Sequence, residues 1–145
     1  MSTTDAPGTS GLSERLRDRL ADEPDVTVAY LFGSHARGTA GRLSDVDVAV
    51  LLRGRHGPER RLELADAIGA AAGGVRADVT VLNDAPPALA YRVLRDGELL
   101  LSRDDRARIR HWVRTVDRYL DMAPLRRELA RGVSHRLEEG RFGRS

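Results

Sequence analysis

Two acids set two apart at the head of an apolar run constrain this chain more than any other feature. The run is Val46-Asp-Val-Ala-Val-Leu-Leu52, entered through Asp45. It follows an earlier run, Val26-Thr-Val-Ala-Tyr-Leu-Phe32. Both have the length and β-branched content of buried strands. Gly33-Ser34 and a polar turn bearing Gly and Arg join them, with ten residues between Ser34 and Asp45. Side chains alternate across a strand, so Asp45 and Asp47 share one face while Val46, Val48 and Val50 share the other. Cα atoms two apart on a strand are roughly 6.5–7 Å apart, which lets carboxylate oxygens converge on one cation. Hard oxygen donors suit Mg²⁺, usually held by one or two carboxylates together with substrate phosphates.

The residues just before those acids complete a phosphate cradle. A glycine lets the main chain approach a phosphate closely, and amides at a following helix start favour an anion. Ser34 can donate its hydroxyl to a phosphate oxygen, and Arg37 can offer a planar fork to another. The plainer alternative makes both acids turn punctuation before a strand. Asp47 weighs against it, because its neighbours on both sides are apolar. An unpaired charge there costs on the order of several kcal/mol.

Gly33-Ser34, ten residues, then Asp45-Val-Asp47, with Ala36-Arg37-Gly38 and Ser44 in place, resembles the nucleotidyltransferases of the DNA polymerase β superfamily. The pattern looks most like the minimal nucleotidyltransferases, the MNT antitoxins of HEPN/MNT toxin–antitoxin pairs, and covers roughly residues 26–101. The resemblance implies a small α/β (α+β) fold, a mixed sheet of about four strands flanked by helices, with a helical C-terminal tail. It implies two Mg²⁺ ions held by Asp45, Asp47 and Asp78, with those acids catalytic, and ATP as substrate. Gly33, Ser34, Arg37 and Ser44 would bind the nucleotide. It further implies transfer of AMP to a tyrosine hydroxyl of a HEPN ribonuclease toxin encoded nearby, which silences the toxin, and a hetero-oligomer with that partner. Two other readings stay open: transfer to a small hydroxyl substrate of the aminoglycoside type, and an antitoxin that binds without chemistry.

The rest of the chain fits one small domain. Its 145 residues can bury about two-thirds of their unfolded surface. Aromatics are only 4%, so Val, Leu and Ala must fill the core. The basic residues are all Arg, and the net charge of +2 is interspersed, unlike the one-sided basic stripe of a duplex-binding protein. Direct nucleic-acid binding is therefore not expected. With no cysteine, thiol chemistry and disulfides are excluded. No stretch reads as a membrane span or signal peptide, and a cytoplasmic protein is the expectation.

Residues 1–11 read as a disordered N-terminus, 12–102 as the nucleotidyltransferase domain, and 103–140 as a helical segment packed on it. Leu12, Leu16 and Leu20 predict a first helix with Ser13 near its N-cap, ended by Pro24. Pro58 opens a helix that Gly73-Gly74 stops. Val75 to Leu82 alternates as a third strand, placing Asp78 on a face with Arg76 and Thr80. There it can lie beside Asp45 and Asp47, or serve as a solvent-facing acid on an edge strand. A short helix over 88–95 and a strand Glu98–Leu101 follow. Beyond Asp104, Ile109, Trp112, Val113, Val116, Tyr119 and Leu120 form an apolar stripe expected to be core, although a protein partner could dock there. His35 reads as a loop residue, and His56, His111 and His135 as surface or helix positions. Arg106 and His111 have the Arg-x4-His spacing of HEPN ribonucleases. Val113 stands where their Tyr would be, so the spacing reads as coincidence.

Overall fold

A computed structural model of the chain describes residues 9–38 and 45–122. The elements run α1 (Thr9–Ala21), β1 (Val26–Phe32), α2 (Ser34–Arg37), β2 (Val46–Leu52), α3 (Pro58–Ala71), β3 (Ala77–Val81), α4 (Pro87–Asp96), β4 (Glu98–Ser102) and α5 (Asp105–Asp121), with a 3-10 turn at Leu82–Asp84. They build one mixed sheet in the order β3-β2-β1-β4. β1 pairs antiparallel with β2 and β4, while β2 and β3 run parallel through the α3 crossover. The expected fold class is the observed one.

Alternation along the strands divides the core into two layers. Leu31, Val46, Val48 and Val50 point to the face covered by Leu12, Leu16 and Leu20 of α1 and by Leu64 and Ile68 of α3. Val28, Tyr30 and Ala49 point to the opposite face, against Ala90 and Val93 of α4. The four-residue spacing of the α1 leucines puts them on one helical stripe, and Leu16 and Leu20 are fully buried. Arg103 closes the end of α1: its Nη2 donates to the Ala21 carbonyl at 2.6 Å and its Nε to Val26 O at 2.9 Å. The contact ties the last turn of α1 to the first residue of β1.

Arg60, on the first turn of α3, ties the α1–β1 connection down. Its Nη2 lies 2.6 Å from both Glu23 and Asp25, and its Nε 2.8 Å from the other Asp25 oxygen. The guanidinium holds both carboxyl groups below their ordinary pKa values. At the far end of the sheet, Gly97 brings the end of α4 against β1. Its N–H donates to Val93 O at 2.7 Å, and a Cβ there would lie 3.3 Å from Leu31 O.

Three local expectations need correcting. α1 begins at Thr9, so Thr9–Gly11 are helical and Ser13 is no cap. Ser13 is buried within the helix and donates to Glu98 at 3.0 Å across to β4. The α5 stripe is not core: Ile109, Trp112 and Leu120 are 52%, 49% and 58% exposed, and the buried positions are His111 and Thr115. α5 faces α4 through a polar and aromatic side, with Tyr91 and Tyr119 rings stacked at 4.0 Å. His111 is thus a helix position, as expected, and an interior one. The continuation of the helical segment beyond Met122 lies outside the described residues.

Candidate active site

The candidate centre sits where β1 ends and β2 begins. In the antiparallel register Phe32 lies opposite Asp47, and in the parallel register Asp47 lies beside Asp78. Asp47 is set between Val46 and Val48, which belong to the α1/α3 layer, so its side chain leaves on the opposite face. The same alternation puts Asp78 on that face, because Ala77, Val79 and Val81 pack into the α1/α3 layer. Asp45 precedes the strand by one residue and is exposed. Val46 N donates to Arg76 O at 2.9 Å, which pins the start of β2 to the segment entering β3.

Gly33 is the second part of the site. It follows β1 directly, at φ 78° and ψ −153°, and precedes the one-turn helix α2. A Cβ at this position would overlap Asp47 Oδ2 and lie 3.2 Å from its Cγ. The glycine is required twice over, by its backbone conformation and by the carboxylate beside it. Ser34 and His35 follow in α2, whose Ala36 packs on the core. Gly38, at φ 74°, closes the turn. Arg37 is the last residue of α2; Ser44 lies outside the described residues.

The donor set fits a magnesium-type cation in kind: carboxylate oxygens at one end of one sheet face, beside a glycine that leaves space at Asp47. Among the described residues, no three His, Asp or Glu groups are drawn together into a cation cluster. The Asp78 carboxylate, about half exposed, instead lies 3.8 Å from Arg76 Nε. A long, solvated pair of this kind contributes about 0–1 kcal/mol, so it leaves Asp78 free to turn toward a ligand. Alternation in the sequence puts Asp47 and Asp78 on one sheet face, as the register has them. The Gly33–Asp47 contact is not legible in it, because it depends on how the chain brings residues 33 and 47 together.

Known proteins give this geometry a context. A family model described as Polymerase beta, Nucleotidyltransferase matches residues 14–106, more than half of the chain. The protein adenylyltransferase MntA of Shewanella oneidensis is 35% identical over 85 residues, which are 59% of this chain and 58% of that protein. The match therefore spans less than two-thirds of that relative's length. A chain in the crystal structure of a toxin–antitoxin with AMP-PNP is 28% identical, with a TM-score of 0.73 over 84% of this chain and 98% of that one. A chain in the structure of tri-AMPylated Shewanella oneidensis HEPN toxin in complex with MNT antitoxin has the same fold. It is 24% identical, with a TM-score of 0.70 over 87% of this chain and 98% of that one. The matched region contains the whole sheet, the Gly33-Ser34 turn and all three acids, and the chain belongs to the polymerase beta nucleotidyltransferase family.

Proposed function

We propose that the chain is a nucleotidyltransferase that moves AMP from ATP to a tyrosine hydroxyl of a HEPN-type toxin and thereby acts as its antitoxin. The observation that carries the reading is the meeting of Gly33, Asp47 and Asp78 at one end of one sheet face. Support for the acceptor comes from the relative named protein adenylyltransferase and from the toxin–antitoxin solved with an ATP analogue. The exposed apolar side of α5 offers a surface for a protein partner.

The reaction joins the acceptor oxygen to the α-phosphorus and breaks the bond to pyrophosphate, while the acceptor loses its proton. Magnesium, held by Asp45, Asp47 and Asp78, would supply charge neutralisation on the phosphates and a lowered pKa for the attacking hydroxyl. Asp78, the most exposed of the strand acids, is the candidate base for the hydroxyl proton. The main chain at Gly33, the Ser34 hydroxyl and Arg37 hold the β- and γ-phosphates, with Ser44 from the same turn. A larger residue at position 33 would push into Asp47, so cradle and carboxylate are one unit.

The test is intact mass spectrometry of the HEPN-type protein encoded nearby after incubation with this chain, ATP and Mg²⁺. The expected result is a mass gain of one or more AMP units that disappears with Asp45→Ala protein. Complex formation with no gain would support a binding antitoxin. Neither complex nor gain would leave a small hydroxyl compound as the acceptor.

A further inference from the structure

A second polar constellation lies at the other end of the sheet. A cavity of about 170 Å³ opens between the end of β2, the turn after β3, the start of α4 and the middle of α5. Its polar lining is Asn83, His111, Arg114, Thr115 and Arg118, and among the described residues no Asp or Glu lines it. Four of these residues, at positions 111, 114, 115 and 118, share one face of α5 by helical spacing.

Most of that lining is already committed. Asn83 accepts from Leu52 N at 2.9 Å and donates to Leu52 O at 2.8 Å, extending β2 by a side chain. His111 is hydrogen-bonded to the Leu82 backbone and lies 3.4 Å from the Thr115 hydroxyl. These groups form a fixed back wall. Arg114 and Arg118 are different: both are exposed, and neither has an ion pair among the described residues. By contrast, Arg60, Arg95 and Arg108 each hold a carboxylate. Ala85 and Pro87, beside the start of α4, line the same cavity.

We propose that this cleft binds a phosphate-class anion, a phosphate or diphosphate group that is free or carried by a nucleotide. Two guanidinium forks on one helix face, without an ion pair among the described residues, match the oxygens of such a group. The described lining holds no acid that would repel an anion. The volume sets the ligand's size: pockets for whole small molecules occupy about 300–1,000 Å³, so a charged group fits while a nucleoside would stay outside. Leu51 at the cavity and Asp47 at the candidate centre are four residues apart on one strand face, about 13 Å at strand rise. The cleft lies at the other end of that face, and its occupancy is tested independently of the proposed transfer reaction.

The experiment is amide NMR on the full chain in EDTA, titrated at constant ionic strength with inorganic phosphate, pyrophosphate and AMP. Saturable shifts are expected at Asn83, Arg114, Thr115 and Arg118. Arg114→Gln combined with Arg118→Gln should weaken them about tenfold or more, as loss of charge-assisted bonds predicts, and leave any shifts at Gly33–Ser34 unchanged. Tighter binding of AMP than of phosphate would identify a nucleotide-borne group, and equal binding a free anion. If the double variant unfolds, Arg118→Lys, which keeps the charge and loses the fork, should still weaken binding measurably. Shifts confined to Gly33–Ser34, shifts reproduced by chloride, or variants that bind like the parent would overturn the proposal.

Discussion

One missing methyl group decides the geometry beside Asp47. Gly33→Ala would place a Cβ on Asp47 Oδ2 and hold a side-chain residue at φ 78°. The backbone term costs about 1–3 kcal/mol, which a folded domain can absorb, but the carboxylate must also move from its place beside Asp78. The expected outcome is a folded protein, judged by circular dichroism, that has lost nearly all AMP transfer. Gly54→Ala supplies the control, because Gly54 has φ 79° but nothing within 4 Å of its would-be Cβ. It should lose comparable stability and keep its activity. Equal activity in the two variants would show that the Gly33 contact has no role in the chemistry. At this scale the acids are legible in the sequence, since alternation puts Asp47 and Asp78 on predictable faces. The purpose of Gly33 is only half legible: a glycine signals a special backbone, but not which carboxylate would strike an added carbon.

Elements are held in register by a few buried or half-buried polar contacts that periodicity does not reveal. Arg60 is the clearest, joining α3 to Glu23 and Asp25 in the connection between α1 and β1. Both carboxyl groups have folded pKa values below their unfolded ones, chiefly through hydrogen bonds to Arg60. Their stabilisation is therefore present above the ordinary carboxylate values of 4.5 and 3.8 and fades as pH falls through the lowered ones. Arg60→Met should destabilise the chain by about 1–3 kcal/mol at pH 7, since it strands two partly buried acids. In urea titrations the gap between parent and variant should narrow toward pH 3; a gap independent of pH would assign the effect to packing instead. The strands and the leucine face of α1 are readable because their periods are regular. α5 is not, because its buried side is His111 and Thr115, and hydrophobic periodicity selects the wrong face. The signal that could have found His111 is its separation from Thr115 by one helical turn, which allows a hydrogen bond in the interior.

At the scale of the whole molecule, the inverted burial of α5 is the feature that a lone domain explains least. Ile109, Trp112, Val113 and Leu120 stand at i, i+3, i+4 and i+11, which makes a single stripe along the helix. Among the described residues that stripe is exposed, and it carries the chain's one tryptophan. Contiguous exposed apolar area of this kind marks interaction surfaces, and aromatic anchors dominate interface energetics. If a HEPN-type partner covers it, Trp112→Ala should weaken the complex by about 2 kcal/mol or more, roughly thirtyfold in affinity. The variant's own unfolding free energy should change by less than about 0.5 kcal/mol, as for other exposed positions. Calorimetric titration of the partner and urea unfolding of the free chain give the two numbers. The opposite pattern, a stability loss of about 1–3 kcal/mol with unchanged partner affinity, would mean that the chain buries Trp112 against itself.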